Sequence, residues 1–155
     1  MKRCATIDDA NLILDLYEVR REDRMRQARD WFMHEFHVGT VEEFDQLCPR
    51  GSVHNDSFRM VVSYWDMAAS MIRAGVLEPV LFFKNNRELL FVWERARDVI
   101  MALRASYRDP LAWHNLEAVA LAYRQWLEEE APGAYETWKQ QIGTLRRETP
   151  VLSQS

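Results

Sequence analysis

The chain has 155 residues, of which 48% are hydrophobic and 28% are charged. These values are typical of a soluble globular protein, and a chain of this length is most simply one domain. The formal net charge of −4 argues against general electrostatic binding to nucleic acid or to an anionic membrane surface.

Targeting and redox signals point to a cytoplasmic protein. No apolar run approaches the roughly 18–20 residues of a membrane span, so we expect no membrane span. The first residues lack the apolar core of a signal peptide. Cys4 and Cys48 match no metal or redox spacing, which favours two reduced thiols. Cys48 precedes Pro49 at the start of a predicted loop, a position that allows exposure.

Helical signals run along the whole chain, and none of its five glycines forms a hairpin signal. The first three predicted helices are 8–37, capped by Asp8 or Asp9, 40–48, with a Thr40–Glu43 capping box, and 55–75, capped by Asn55 or Asp56. A short helix follows at 78–83. The last three are a helix that is capped by Asn85-Asn86 and ends near 106, a helix over 110–129, and a helix that begins at Pro132. Charged residues between Arg20 and Arg29 make a break or a solvent-exposed stretch plausible there. We therefore predict an all-α, single-domain antiparallel helical bundle over residues 1–155. It has about five long helices, one or two short ones, and frayed termini at 1–7 and 148–155.

The helix that begins near Asn55 has the most informative pattern. Its polar residues recur at intervals of four and three and form one narrow stripe, which consists of Arg59, Ser63, Asp66, Ser70 and Arg73. A helix that is apolar on its other faces is normally packed on several sides, so we expect it to be central. Gly75 suits a Schellman closure with Val76 folded back on Met71, and Pro79 suits the first turn of a new helix.

The same helix, together with two later segments of the chain, carries a resemblance to a known family. The residues concerned are Arg73-Ala74-Gly75, Glu78, Trp93-Glu94 and the run 116–120, LEAVA. Their arrangement resembles a family of uncharacterised bacterial helical domains, the domain of unknown function 4760. The resemblance extends from about Leu12 to Tyr135 and rests on packing residues. It implies an α-helical fold and no known activity.

Two sets of side chains are candidate sites. Asp66 and Arg73, with Glu94 and Glu117 on neighbouring helices, are predicted to form either a packed ion-pair network or the lining of a ligand pocket. His34 and His37 are three residues apart and are the weak candidates for a metal pair. No Glu-X-X-His or zincin motif accompanies them, so we expect neither a metal site nor a cofactor.

Five arginines lie between positions 20 and 29: Arg20, Arg21, Arg24, Arg26 and Arg29. They scatter around the helix axis and alternate with acidic residues, which favours a solvated, self-paired face over a nucleic-acid site. The six tryptophans are spread over the long helices and are predicted to share one core. Phe82, Phe83 and Phe91 are predicted to exceed what one small core can hide.

Three functions compete at this point. No nucleophile elbow, Walker-type loop or dinucleotide fingerprint is present, so no catalytic residue is assigned. The leading hypothesis is a non-catalytic protein-interaction or scaffold domain whose partner is a second copy, in a homodimer, or another protein. The alternative is a small-ligand-binding regulatory domain with a pocket between helices. The third is an enzyme with a dispersed site.

Overall fold

The computed structural model describes residues 3–143, which contain eight α-helices and no strand. The helices are α1 (Ile7–Arg21), α2 (Asp23–Glu35), α3 (Val41–Leu47), α4 (Val53–Arg73), α5 (Pro79–Asn85), α6 (Arg87–Tyr107), α7 (His114–Glu130) and α8 (Ala134–Gly143). The predicted all-α class is confirmed. Within the same residues, no helix combines the length and the apolar character needed to cross a membrane.

Helix α4 lies at the centre of the bundle, as its pattern predicts, and packs against α2, α6 and α7. Its Trp65, Ala68 and Ala69 have no exposed surface. Burial of one large apolar side chain contributes about 1.5–3 kcal/mol, so α4 supplies a large share of the folding energy. Buried side chains from all eight helices join α4 in one cluster, and the six tryptophans lie in it or against it.

Three phenylalanines expected to be surplus are buried. Phe82, Phe83 and Phe91 are at most 5% exposed. The prediction of an exposed aromatic surplus at these positions is therefore wrong, because α5 and α6 pack their aromatic faces into the same core as α4.

The first predicted helix is two helices. The chain leaves α1 at Arg21, and the Glu22 carboxylate accepts hydrogen bonds from the backbone N–H groups of Arg24 and Met25, both at 3.0 Å. Glu22 thus caps α2, which ends at Glu35. The helix predicted over 8–37 is divided in two, and the break falls inside the charged section Arg20–Arg29, where the sequence made a break plausible.

The charged section is only partly self-paired. Arg21 and Arg26 pair with acids three residues away, at 3.3 and 3.8 Å. Arg29 instead forms a bidentate ion pair with Glu88 of α6, at 2.6 and 2.7 Å, and Arg24 donates to Ser57 of α4 at 3.3 Å. Long arginine side chains here connect α2 to the rest of the bundle, which their local charge pattern does not reveal.

Helix caps agree with the sequence in part. Thr40 accepts from the Glu43 N–H at 3.2 Å, as predicted, but the Glu43 carboxylate accepts from the Gly39 N–H at 3.4 Å rather than from Thr40. Ser52, not Asn55 or Asp56, caps α4 and accepts from the Asn55 N–H at 3.1 Å. α4 therefore begins two residues earlier than expected.

The exit from α4 follows the prediction. Gly75 has a φ of 76°, its N–H donates to the Ile72 carbonyl, and the Val76 N–H donates to the Met71 carbonyl, both at 3.0 Å. This is the Schellman pattern, which needs one residue in the left-handed conformation, and glycine adopts that conformation without strain. Pro79 is the first residue of α5.

Cys48 is buried, which corrects the expectation that it lies exposed at a loop. Its side chain lies in the core, and burial raises the pKa of its thiol to about 11. Cys4 is exposed, and both cysteines are free. Because the thiolate is the reactive form, Cys48 is poorly suited to nucleophilic chemistry.

The start of α1 is organised around Asp9. Thr6, rather than Asp8 or Asp9, is the cap residue, and it accepts from the Asp9 N–H at 3.3 Å. The buried Asp9 carboxylate accepts two bonds from the Arg3 guanidinium, at 2.6 and 2.8 Å, and one from the Glu78 N–H at 2.9 Å. The Thr6 N–H and hydroxyl donate to it as well, at 2.7 and 2.9 Å.

Part of the predicted frayed N-terminus, residues 3–6, thus contacts the bundle through Asp9. Residues 1–2 and the predicted frayed tail 148–155 lie outside the described residues, and the single-domain organisation over 1–155 stays a prediction.

Replacement of Asp9 by Asn is expected to lower the Tm by several degrees at neutral pH. The Arg3 guanidinium, more than any other partner, holds the Asp9 pKa well below its ordinary value of 3.8. When a carboxyl group has a lower pKa in the folded state than in the unfolded state, its charge stabilises the fold fully at a pH above the unfolded-state pKa. This stabilisation is lost progressively as the pH falls from the unfolded-state pKa through the native-state pKa. The Tm difference between the two proteins is therefore constant from about pH 5 upward and shrinks below pH 3.8.

The neighbouring Asp8→Asn, an exposed position in the same first turn, is the matched control and should leave the Tm almost unchanged. Equal effects of the two substitutions in thermal unfolding followed by circular dichroism would contradict the role of Asp9.

Candidate functional site

Asp66, the central member of the predicted polar stripe, caps α7. Helix α7 begins at His114, four residues later than the predicted start at Pro110, because Trp113 before it has a left-handed conformation with a φ of 51°. Trp113 provides no side-chain cap. The Asp66 carboxylate of α4 takes that place and accepts from the Leu116 N–H at 2.9 Å. A negative charge at this position also favours the helix dipole.

Arg73 meets Asp66 through a shared neighbour. Arg73 donates to the Asn115 side-chain carbonyl at 2.9 Å, and the Asn115 amide donates to Asp66 at 3.3 Å. Glu117, two residues further along α7, pairs with Arg104 of α6 at 2.5 Å. Arg104 also donates to the carbonyl groups of Ala112 and Trp113, at 2.7 and 3.2 Å. Three of the four predicted residues therefore contact each other's neighbours at the start of α7: Asp66 and Arg73 from α4, and Glu117 from α7 itself.

The fourth residue, Glu94, lies elsewhere. Its carboxylate accepts a hydrogen bond from the Tyr135 hydroxyl of α8, and its side chain is 6% exposed. Burial, more than the adjacent Glu94 charge, raises the Tyr135 pKa above its ordinary range. The predicted set is thus divided between the docking of α7 and the docking of α8, and these contacts support a packing role for each member.

The two histidines are placed apart from any third ligand. His34 in the last turn of α2 contacts its own helix, with Nδ1 3.2 Å from an Asp30 carboxylate oxygen. His37 lies beyond α2, and the Arg95 guanidinium is 3.3 Å from its ring nitrogens. A cation at that distance opposes a bound metal ion. In the described part of the chain, no three His, Cys, Asp or Glu side chains form a metal-binding group.

The strongest candidate for a binding site is an apolar concavity of about 440 Å³, here called the α5–α7 groove. Its apolar lining comes from the end of α4, from α5 and from α7, and consists of Ile72, Leu77, Pro79, Val80, Phe83, Ala122 and Trp126. Polar residues at its rim are Arg3, Glu78, Gln125 and Glu129. Its volume lies within the range of about 300–1,000 Å³ that is usual for ligand sites.

Two aromatic rings, those of Phe83 and Trp126, line one side of this groove. Phe83 of α5 stacks on Tyr123 of α7, with ring centroids 4.6 Å apart and an interplanar angle of 4°. The Tyr123 hydroxyl donates to the Phe83 carbonyl at 2.5 Å, which fixes the pair. Trp126 lies 5.7 Å from Phe83 and is only partly buried. Phe83 and Tyr123 are buried, so Trp126 is the partly exposed aromatic side chain here, and tryptophan is typical of the residues that dominate binding energy.

The mouth of the groove is electronegative. The C-terminal ends of α4 and α7 both border it, and helix C-termini carry partial negative charge. The exposed run Glu128–Glu130 adds three carboxylates at the end of α7. Arg3 is the cation at the rim, but its charge is paired with Asp9 at 2.6 Å. The groove therefore favours apolar groups that carry a positive charge nearby.

Sequence reasoning did not find this groove, because its residues come from four separate segments of the chain. One local signal was present: Tyr123 and Trp126 are three residues apart and share a face of α7, next to the acidic run Glu128–Glu130. An aromatic pair beside an acidic helix end is a pattern that indicates a binding surface, whereas a helix terminus with a purely structural role does not need it.

Replacement of Asp66 by Ala is expected to lower the free energy of unfolding by about 1–2 kcal/mol, because α7 loses its cap. Asp98→Ala is the matched control, since Asp98 is 73% exposed on α6, and it should change the stability by less than about 0.5 kcal/mol. Urea unfolding of both variants measures the difference. Unchanged stability of Asp66→Ala, together with a loss of ligand binding, would instead favour the pocket reading.

Comparison with known proteins gives one positive result. The sequence profile of the family described as a domain of unknown function (DUF4760) matches residues 5–126. No curated protein and no solved structure shows significant similarity to the chain. The matched segment runs from the turn before α1 to Trp126 in α7, so it includes all of the apolar lining of the groove. Because this match extends over more than half of the sequence, the chain belongs to the DUF4760 family.

Proposed function

We propose that the protein is a non-catalytic interaction domain that binds apolar side chains of a partner protein in the α5–α7 groove. The observation that carries this proposal is the partly exposed Trp126 beside the stacked Phe83–Tyr123 pair. Apolar concavities with aromatic anchors are where protein and peptide partners obtain most of their binding energy. The electronegative mouth supports a partner segment in which apolar residues are flanked by Lys or Arg.

A small ligand is the second candidate for the same groove. The volume of about 440 Å³ suits a small molecule as well as two or three side chains. The acidic side chains at the mouth favour an apolar molecule with a basic group, which would make the protein a ligand-binding regulatory domain. The third hypothesis, an enzyme with a dispersed site, has no specific observation in its favour among residues 3–143.

A homodimer also stays a prediction. Helix α1 exposes apolar side chains on one side of the bundle, with Ile7 80% exposed and Leu14 60% exposed. Their seven-residue spacing places them on one helix face, which supports self-association. A cytoplasmic location and a bacterial origin likewise remain proposals, and the two free thiols support the location.

Val80→Lys is expected to weaken binding of groove-directed peptides at least about tenfold, because it places a cation in the apolar lining. The peptides are selected from a random library on the immobilised full chain, and their affinity is measured by fluorescence polarisation. Selected sequences should combine aromatic or aliphatic residues with Lys or Arg. Leu121→Lys is the control, since Leu121 is 52% exposed on α7 outside the groove.

Equal losses in the two variants, or peptides without that composition, would contradict the proposal. A thermal-shift screen of small apolar amines tests the second candidate, because a ligand that binds only the folded state must raise the Tm. A rise that Val80→Lys abolishes and Leu121→Lys retains supports a small ligand.

A further inference from the structure

A second cavity, of about 300 Å³, lies where the α1–α2 junction meets the beginning of α6. Five of the residues that line it are arginines: Arg20, Arg21, Arg26, Arg29 and Arg87. One carboxylate, that of Glu88, shares the lining with them. This concentration of positive charge is unusual in a chain whose formal net charge is −4. None of these residues lines the α5–α7 groove.

Arg20 is the most telling of the five. It is 7% exposed, and its guanidinium lies over the rings of Tyr17 and Trp65, 5.5 and 5.0 Å from their centroids. It donates one hydrogen bond, to the Asn86 side-chain carbonyl at 2.8 Å. Within residues 3–143, Arg20 forms no ion pair with a carboxylate. A buried cation without a counter-charge is costly, and an anion in the cavity would relieve that cost.

The other arginines surround this buried cation. Arg29 donates two hydrogen bonds to Glu88, at 2.6 and 2.7 Å, so the one carboxylate of the lining neutralises Arg29 and not the other arginines. Arg21 and Arg26 are 61% and 65% exposed. Arg21 donates to the exposed Glu18 carboxylate at 3.3 Å and lies over the Tyr17 ring, and Arg26 is 3.8 Å from the exposed Asp23 carboxylate. They can therefore turn toward a bound anion at little cost.

The beginning of α6 borders the cavity, and so do the C-terminal ends of α1 and α5, so its positive charge comes from the arginine side chains. Asn86 precedes the helix, and its side chain donates to the Phe82 carbonyl instead of capping α6. The Leu89 N–H donates to the Asn86 carbonyl at 3.2 Å, so the positive charge at this end of α6 comes mainly from Arg87. Arginine guanidinium groups bind phosphate oxygens through paired, charge-assisted hydrogen bonds.

We propose that this arginine-lined cavity binds the phosphate groups of a ligand that carries two or more of them. Four arginines of the lining remain after Arg29 pairs with Glu88. Two of them, Arg21 and Arg26, pair only with exposed acids of their own helices, so all four guanidinium groups together suit a diphosphate or triphosphate better than one phosphate. An adjoining depression along α2 shares Arg26 and Arg29 with the cavity. It also contains Asp23 and Asp30, so it provides room for a part of the ligand that carries no phosphate.

Isothermal titration of the full chain with inorganic pyrophosphate tests this proposal. We expect one site whose affinity decreases as salt is raised, because the binding is electrostatic. The double variant Arg21→Gln/Arg26→Gln should bind roughly a hundredfold more weakly, at about tenfold for each charge-assisted bond lost. The control Arg50→Gln/Arg97→Gln removes the same charge at positions outside the cavity and should bind like the parent protein.

Two further titrations distinguish the source of the phosphate groups. Binding of a nucleoside triphosphate more tightly than pyrophosphate, with the same loss in the double variant, supports a free phosphorylated metabolite. Binding to vesicles with a bisphosphorylated inositol lipid, again lost in the double variant, supports a headgroup. The proposal is overturned if none of the three probes binds, or if the double variant and the control lose affinity equally.

Discussion

The buried carboxylate of Asp9 determines how three distant segments meet. It accepts five hydrogen bonds, from Arg3, Thr6 and Glu78, and thereby joins the N-terminal residues, the first turn of α1 and the beginning of α5. A buried charge is tolerated only where its acceptor positions are occupied, and here a guanidinium and backbone N–H groups occupy them. Because Arg3 and Glu78 also line the α5–α7 groove, Asp9 positions one side of the candidate binding site.

The opposite side of the groove depends on α7, whose position is set by polar contacts with the central helices. Asp66 of α4 caps its first turn, and Arg104 of α6 binds the carbonyl groups that precede it. The Phe83–Tyr123 stack then joins α7 to α5 across the groove. The polar stripe of α4 therefore contributes to the candidate binding site indirectly, because its contacts hold α7, which carries Trp126.

Sequence reasoning was most successful where the determinants are local. The apolar faces of α4, the Gly75 closure, the Thr40 cap and the Pro79 start each depend on residues within one or two turns. The late start of α7 was missed because it depends on Trp113, whose ring packs edge-to-face on Phe58 of α4. Asp9 resembles a helix cap in the sequence because its position near the start of α1 is a local signal. Its bond to the Glu78 N–H joins residues 69 positions apart, so no local pattern reveals it. Both sites are assembled from distant segments, so local pattern shows only parts of them: the Tyr123–Trp126 pair of the groove and the arginines between positions 20 and 29 of the second cavity.

Amide hydrogen exchange, compared between the parent protein and Asp9→Asn, tests the central claim most directly. Loss of the Asp9 charge should release the segments that it joins, while the distant helices keep their own contacts. We predict faster exchange confined to residues 3–10 and 76–83, with unchanged protection in α6 and α8. Uniformly faster exchange, or no change near Glu78, would contradict the claim that Asp9 holds this side of the groove in place.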